Sequence, residues 1–293
     1  MTDVAGTTAS KVPPITTSMT DVEDVMDMEV TVDLHRLRDL ARLGLPPRLR
    51  GRVYRYLLGV RTADKSEEVT HQRGHEEAFQ TILPPVGATL RLCPTSIDVL
   101  RQKKDNAKLH RVLAALSVTH GHQPDLLQRS LVYMTLPLET AMEEACDVYY
   151  AVCALMAVGT YHTIDRLRDA CAQFETLLRE TQHELSSFFY AINLPLTAWL
   201  PSWLSTLLAR QLDLDDALRL WDIYIAELAF DRLDLHMYVC LAILDFHREG
   251  ITEMQTAEDT LLYFLTKLPK MNVDDVVTHA RNIREGVRTR DLL

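Results

Sequence analysis

The amino-acid sequence predicts an all-α protein built as a single multi-helix domain. Its 293 residues include only 10 glycines and 12 prolines, so few positions break a helix. Apolar residues recur at helical spacing over most of the chain, and a hydrophobic content of 47% is enough to fill one large core. We predict a disordered, acidic tail over residues 1–30, one folded domain over 31–287 and a short tail over 288–293.

Charge and cysteine content exclude several classes of function. A formal net charge of −10 argues against nucleic acid as a partner, because a phosphate backbone needs a basic surface. Five cysteines without a Cys-x-x-Cys pair indicate reduced core residues of an intracellular protein. No secretory signal is recognisable, and the longest apolar run, residues 148–158, is too short to cross a bilayer. We therefore expect a cytoplasmic protein without direct membrane insertion, which a partner would have to recruit to any endomembrane.

The first helices are predicted between residues 21 and 60. An acidic run over 21–29 is typical of a solvated tail or of a first helical turn. One helix begins near residue 34 and ends at a Gly-Leu-Pro sequence, and a second runs from Pro47 to Gly59. Residues 61–104 are the least regular part of the chain, since several prolines interrupt any long helix there.

Two histidines in this irregular part, His71 and His75, have the i, i+4 spacing of some metal ligands. Glu76 and Glu77 lie beside them, but Gly74 lies between them and no third ligand is evident. The pattern favours a solvated helix face, and we expect no bound metal.

Helical periodicity returns from residue 106 onward. The predicted helices cover residues 106–118, 125–134, 139–157 and 161–185. In the last of them Phe174, Leu177 and Leu178 share one face and are expected to be buried.

Residues 199–228 contain all three tryptophans and are predicted to be the centre of the fold. The first helix of this segment carries Trp203 and continues to Leu212. Asp213 is placed to cap a second helix, which carries Trp221. After it, the apolar segment 233–247 predicts a buried helix, and two capped helices close the domain.

Residues 44–59 resemble the opening signature of the TBC domain, the all-helical module of Rab GTPase-activating proteins. That signature contains a Gly-Ile-Pro-like turn, an Arg-Gly pair, an aromatic residue and a Leu-Leu-Gly ending. The pair is Arg50 and Gly51 here, and Tyr54 stands where the family usually has tryptophan. We expect Arg50 to anchor a helix by pairing with a carboxylate.

Residues 199–222 are similar to a later part of the TBC domain, where a tryptophan-bearing helix precedes one ending in Leu-Trp-Asp. Trp203, Trp221 and Asp222 occupy those positions, and we interpret them as scaffold. The resemblance extends over about residues 34–285 and implies one TBC domain.

The family supplies an arginine finger from an Ile-x-x-Asp-x-x-Arg loop, so the resemblance implies a catalytic arginine. Arg101 keeps the spacing to Asp98, with threonine in place of the isoleucine, but lies close to the next helix. Arg91 lies at a more typical distance from that helix, but there proline and alanine occupy the isoleucine and aspartate positions. Both arginines remain candidates.

The family also supplies a glutamine finger from a Tyr-x-Gln-Gly segment. The best match places Tyr133 at the tyrosine and Thr135 at the glutamine, followed by leucine instead of glycine. Threonine lacks the amide that both donates to and accepts from water and phosphate. Gln123 and Gln128 lie nearby, outside the motif. The resemblance therefore implies that the glutamine finger is lost.

Three hypotheses follow. The first is a regulator of small GTPase signalling that has weak or no GTPase-activating activity and serves as a scaffold or complex subunit. It would bind a Rab-type GTPase, a helical or coiled-coil partner in an apolar groove, or both. The second is an active Rab GTPase-activating protein with Arg101 or Arg91 as a divergent finger. The third is a helical adaptor whose TBC likeness is coincidental. The chain needs no cofactor of its own, because GTP and Mg²⁺ belong to the partner GTPase.

Overall fold

A computed structural model describes residues 17–85, 93–103, 105–158, 161–231 and 233–290. Within these residues the chain folds into α-helices, and the only extended pairing is an isolated antiparallel bridge between Thr31 and Asp64. The first eight helices are α1 (Met19–Met26), α2 (Leu34–Leu43), α3 (Pro47–Leu57), α4 (Glu68–Ile82), α5 (Pro94–Gln102), α6 (Ala107–His120), α7 (Asp125–Ala141) and α8 (Ala145–Val158). The remaining ones are α9 (Ile164–Thr181), α10 (His183–Ala191), α11 (Leu200–Thr206), α12 (Leu214–Asp231), α13 (Asp234–Phe246), α14 (Arg248–Thr252), α15 (Ala257–Leu265) and α16 (Val273–Thr289).

The acidic N-terminal run is part of the fold rather than a tail up to residue 30. It forms α1, whose Val22, Val25 and Met26 are fully buried against α2 and α3. Its acidic residues lie mainly on the opposite, solvated face. The segment is therefore an amphipathic helix, although its acidic composition is also typical of a tail. The other predicted tail segment, residues 1–16, lies outside the described residues.

The turn between α2 and α3 matches the prediction. Asp33 caps α2 by accepting hydrogen bonds from the backbone N–H groups of His35 and Arg36. Gly44 ends the helix with φ 105°, a conformation that glycine tolerates, and Pro47 occupies the first turn of α3.

The part predicted to be least regular contains the 15-residue helix α4 and the shorter α5. Phe79 is the one residue of α4 that is fully buried, so its apolar stripe is too thin to be detected from periodicity.

The helix predicted to end at residue 134 instead continues to Ala141 as α7, with Pro137 in its interior. Pro137 and most of its neighbours on α7 are buried, and packing therefore outweighs the lost backbone hydrogen bond. The predicted helix 161–185 is divided at Gln182, whose φ is −140°. The side-chain amide of Gln182 donates to Leu241 O at 2.8 Å, which fixes the break against α13.

The tryptophan-rich centre differs from the prediction at one point. Helix α11 ends at Thr206 instead of continuing to Leu212, because Leu207 and Leu208 adopt left-handed backbone angles with φ 50° and 62°. Trp221 Nε1 donates to Leu207 O at 3.0 Å and holds this turn in place. Asp213 directly precedes α12, and its backbone oxygen accepts a hydrogen bond from the N–H of Ala217 at 2.8 Å.

Helix α13 is buried from Leu235 to Leu244 and packs against α16, α12 and α11, as the apolar pattern predicts. Thr256 and Asn272 cap α15 and α16. In the part of the chain that the structure describes, no helix is long and apolar enough to cross a membrane.

Candidate functional site

A buried ion pair joins the two parts of the chain that carry the TBC-like sequence. Arg50 on α3 donates from Nε to Asp222 Oδ1 at 2.9 Å and from Nη2 to Asp222 Oδ2 at 3.1 Å. Tyr54 donates to the same carboxylate at 2.7 Å, and the backbone N–H of Leu45 completes the set at 3.1 Å. The expected pairing of Arg50 with a carboxylate is therefore present, and both side chains are buried in it.

Burial raises the pKa of the Asp222 carboxyl, while the hydrogen bonds and charge of Arg50 lower it. Burial and the neighbouring Asp222 charge also raise the pKa of Tyr54 well above its usual value, which keeps the phenol a hydrogen-bond donor. Tyr54, at the position where the family usually has tryptophan, thus donates one of the four hydrogen bonds that the Asp222 carboxylate accepts.

Gly51 permits close contact between α3 and the C-terminal end of α7. A Cβ atom at this position would lie 2.0 Å from the backbone oxygen of Ala141. The Arg-Gly pair thus has two structural roles: an ionic anchor at Arg50 and a close helix contact at Gly51.

Two scaffold tryptophans are fully buried or nearly so, and both indole N–H groups are satisfied. Trp203 Nε1 donates to Phe264 O at 2.9 Å, and Trp221 donates to Leu207 as described above. Trp199 and Phe264 pack against Trp203 with ring centroids 4.9 and 5.5 Å away. These residues hold α11, α12 and α15 together and expose no surface to a ligand.

Asp147 forms a second buried ionic centre, which sequence reasoning missed. Arg55 on α3 and Arg61 in the following segment approach its carboxylate at 3.1 and 3.4 Å. The partners of Asp147 lie 86 and 92 residues away in sequence. No local signal connects residues at that separation.

The arginine-finger candidate Arg101 lies on the outer face of α5. Its side chain is 77% exposed, and its nearest carboxylate is Asp98 at 3.7 Å, a loose contact on the same helix. The guanidinium is therefore accessible to a partner. The other candidate, Arg91, lies outside the described residues.

The glutamine-finger candidates lie on α7 but face different ways. Tyr133 is partly exposed, whereas Thr135 is fully buried and donates its hydroxyl to Leu131 O at 2.7 Å. Residues two positions apart in an α-helix are rotated by about 200° around its axis. One of the two side chains therefore faces solvent when the other faces the core. Thr135 does not present its hydroxyl to a partner here.

The two nearby glutamines differ in how their side-chain amides are held. Gln128 donates from Nε2 to Gly121 O at 3.2 Å and to Gln123 O at 2.7 Å, which fastens the loop between α6 and α7. The Gln123 side-chain oxygen is buried and accepts no hydrogen bond among the described residues. The amide of Gln128 is therefore part of the loop structure, whereas that of Gln123 is not bonded to it.

Two arginines that sequence reasoning did not select flank Tyr133. Arg210, from the segment after α11, places its guanidinium carbon 5.5 Å from the centre of the Tyr133 ring. Arg129 lies one turn before Tyr133 on the exposed face of α7. The i, i+4 spacing of Arg129 and Tyr133 was detectable from the sequence, whereas the approach of Arg210 requires the fold.

His71 and His75 are part of an aromatic cluster. Their ring centroids lie 4.2 Å apart, and His75 stacks on Tyr150 at 4.1 Å. Burial lowers the pKa of His75, which favours the neutral ring. Among the described residues, no group of three or more potential ligands could hold a metal ion.

Comparison with solved structures identifies the class of fold. The crystal structure of the Ypt/Rab-GAP domain of Gyp1p superposes with a TM-score of 0.73 at 14% identity, covering 93% of this chain and 98% of that one. The Chlamydomonas flagellar RabGAP TBC domain superposes with a TM-score of 0.54 at 17% identity, covering 85% and 82% of the two chains. The helical fold described above is thus that of a Rab-GAP domain.

Sequence comparison identifies the family. The Rab-GTPase-TBC domain family model matches residues 47–252, and the chain belongs to this family. The hypothesis that the TBC likeness is a coincidence of amphipathic helices is therefore wrong.

Relatives share the domain at low identity. The Schizosaccharomyces pombe GTPase-activating protein gyp1 is 24% identical over 282 residues, covering 81% of this chain and 54% of that protein. TBC1 domain family member 12 of Xenopus tropicalis is 25% identical over 280 residues, covering 85% of this chain and 40% of that protein. The chain spans about half the length of these curated relatives or less.

Proposed function

We propose that this chain binds a Rab-type GTPase and regulates its signalling, while it stimulates GTP hydrolysis weakly or not at all. The observation that carries the proposal is that a fully buried threonine occupies the position where the family's glutamine finger is expected. Thr135 is buried, and the amide of Gln128 is bonded to the α6–α7 loop. Without a glutamine at this position, the GTPase's own residues would have to orient the attacking water.

The proposal also rests on the intact scaffold. The Arg50–Asp222 pair and the Gly51 contact keep the family's helix arrangement although the finger motif has changed. A retained scaffold with an altered catalytic motif is expected of a domain whose role is to bind partners.

A second partner class has a structural counterpart. A groove of about 730 Å³ lies between the end of α9, α10 and the segment that follows it. Its lining includes Leu178, Phe189, Leu194 and Leu196, and Tyr190 at its edge is 87% exposed. A helical or coiled-coil segment would bury apolar side chains there, which is the usual mode of groove recognition. In a larger complex, such a partner would also carry the chain to an endomembrane.

An active GTPase-activating protein remains the second candidate function, because Arg101 is exposed and only loosely paired. A trans arginine raises GTPase rates by roughly 10³ to 10⁵. If Arg101 were the finger, Arg101→Ala would remove stimulation by orders of magnitude while circular dichroism stayed helical. Arg91→Ala tests the other candidate in the same way.

Binding to a panel of purified Rab proteins, each loaded with GDP or with a non-hydrolysable GTP analogue, tests the proposal. Saturable binding of one or more Rabs, stronger for the triphosphate state, supports it. If no Rab binds at tens of micromolar while the chain is folded, the proposal is wrong. Tyr190→Asp serves as a control, because it disrupts the α9–α10 groove and should leave Rab binding unchanged.

A further inference from the structure

Helix α4 is attached to the rest of the domain by a small number of side chains. Phe79 is its one fully buried residue, and the guanidinium of Arg111 on α6 lies 5.5 Å from the centre of the Phe79 ring. At the other end of α4, Glu68 accepts a hydrogen bond from Tyr56 at 2.9 Å and pairs with Lys65 at 3.1 Å. A helix that buries so little apolar surface can open locally while the core of the domain stays folded.

The middle of α4 contacts α8 through two histidine rings. The centroids of the His71 and His75 rings lie 4.2 Å apart, and the His75 ring stacks on Tyr150 at 4.1 Å. Nδ1 of His71 is buried and has no hydrogen-bond partner among the described residues. Protonation of both rings would place two like charges at this short distance, away from water, so the contact suits two neutral rings.

The surroundings of His75 favour its neutral form. Burial, followed by the neighbouring His71, lowers the pKa of His75, and the charge of Arg61 acts in the same direction. The carboxylate of Asp147 and a hydrogen bond with the backbone of Val60 act in the opposite direction. The attraction of Asp147 is weakened, because Arg61 itself contacts this carboxylate at 3.4 Å.

The other charged groups on the elements packed against the histidines do not add an excess of negative charge. Arg55 of α3 approaches the Asp147 carboxylate at 3.1 Å. Helix α4, α6 and the start of α8 contribute Arg73, Glu76, Glu77, Arg111 and Glu144. With Asp147 and Arg61 this gives four carboxylates and four guanidinium groups, and no net charge remains to compensate a protonated ring.

Helix α4 also covers a cavity of about 590 Å³, whose remaining walls are α6 and the start of α8. Cys146 lines this cavity and is only 8% exposed. Burial, together with the charges of Asp147 and Glu76, raises the pKa of the Cys146 thiol to about 12. The thiol is therefore shielded while α4 is in place, and its reactivity reports whether α4 has opened.

We propose that α4 is a pH-sensitive lid over this cavity, closed while His71 and His75 are neutral and opened locally when they are protonated. The pKa of His75 is lowered in the closed state, whereas that of a solvated histidine is about 6.5. The open state therefore binds more protons, and the lid should be held fully above about pH 6.5 and loosen as the pH falls below it. The lid goes beyond the proposed function, because it concerns access to a different surface of the domain.

The test measures how fast dithiodipyridine, which reacts with thiols also at acidic pH, labels Cys146 in the full chain. Mass spectrometry of the Cys146 peptide gives the rate between about pH 7.5 and about pH 5.5. A double variant with His71→Phe and His75→Phe keeps aromatic rings at both positions and cannot be protonated there. Its rate at each pH cancels the effect of pH on the reagent.

Two further variants complete the set. His35→Phe is the matched control, because His35 is an exposed histidine of α2 that pairs with Asp39 at i, i+4. His75→Lys places a permanent positive charge in the contact with Tyr150. Tryptophan fluorescence monitors the global fold, since all three tryptophans lie between residues 199 and 221, outside the cavity.

We expect labelling of Cys146 to become at least about three-fold faster in the wild type than in the double phenylalanine variant as the pH falls to about 5.5. His35→Phe should behave like the wild type. His75→Lys should be labelled quickly already at about pH 7.5, with unchanged tryptophan fluorescence.

Equal pH dependence of labelling in the wild type and in the double phenylalanine variant would overturn the lid. A shielded Cys146 in folded His75→Lys would overturn it as well. If tryptophan fluorescence changes in parallel with labelling of the wild type, the thiol is exposed by global unfolding and the lid is again refuted. None of these outcomes depends on Rab binding, so failure of the lid and failure of the proposed function are distinguishable.

Discussion

Arg50 and Asp222 form two hydrogen bonds across 172 residues of sequence, in the interior of the protein. This pair links α3 to α12 and therefore joins the first TBC-like segment to the last. The side chain of Asp222 is fully buried, and removal of Arg50 would leave the Asp222 carboxylate in the interior without its counter-ion.

Arg50→Ala should lower the free energy of unfolding by about 3–5 kcal/mol, because it leaves Asp222 buried without its counter-ion. Arg52 on the same helix provides the control, since it pairs with Asp27 at 3.2 Å in an exposed position. Arg52→Ala should cost less than about 1 kcal/mol. Chemical denaturation of both variants checks this, and equal losses would contradict the anchoring role of Arg50.

Gly51→Ala should destabilise the fold by about 3 kcal/mol or more, because the added methyl group meets the backbone oxygen of Ala141 at 2.0 Å. Backbone on both sides leaves little room for adjustment. Gly74→Ala is the matched control, since nothing lies within 4 Å of a Cβ there and alanine favours a helix interior. We expect Gly51→Ala to lower the thermal unfolding midpoint and Gly74→Ala to leave it unchanged or raise it. An equal change in both variants would refute the close contact at Gly51.

Stability should fall as the pH drops from about 6.5 toward 4, with His236 as one cause. Burial lowers the pKa of this histidine to about 4, while in the unfolded chain it lies near 6.5. The unfolded state therefore binds more protons in this window, and the loss attributable to His236 approaches on the order of 3 kcal/mol at its lower end.

His236→Gln removes the titration and retains polar atoms near Tyr224 Oη and Trp203 O, the present partners at 2.8 and 3.1 Å. Urea unfolding at several pH values checks the difference in slope between wild type and variant. If the free energy of unfolding changes with pH equally in wild type and variant between pH 6.5 and 5, His236 does not contribute to the pH dependence of stability.

Thr135→Gln should not create GTPase-activating activity, although it restores the family's residue type. The position is fully buried, so the longer side chain would disturb α7 and cost about 1–3 kcal/mol. Thr135→Val keeps the volume and loses only the hydroxyl bond to Leu131 O, and it serves as the comparison. A rise in GTP hydrolysis with the glutamine variant would place residue 135 at the partner's nucleotide and contradict the structure.

Much of the fold was predictable, because its determinants are local. Helix caps at Asp33, Thr256 and Asn272, the turn at Gly44 and the apolar pattern of α13 each act over a few residues. The pairing of Arg50 with an unnamed carboxylate was also predictable, because the motif context indicated a scaffold role for both Arg50 and Asp222.

Other features depend on contacts between distant segments. The left-handed turn at Leu207 breaks a helix that the apolar pattern continues, and the hydrogen bond from Trp221 that holds it comes from the next helix. The pairing of Arg61 with Asp147 and the approach of Arg210 to Tyr133 likewise join segments that carry no shared sequence signal. Thr135 matched a motif by position, but only the helix register shows that it faces the core.

The most direct test of weak or absent catalysis is GTP hydrolysis by a panel of Rab proteins, with catalytic amounts of this chain, beside Arg101→Ala. We predict that the wild-type chain raises no Rab's rate by more than about ten-fold, and that Arg101→Ala behaves identically, because a buried threonine stands at the position of the family's water-orienting glutamine. Multiple-turnover stimulation of 10³-fold or more for one Rab, lost in a folded Arg101→Ala variant, would contradict the account and establish an active enzyme.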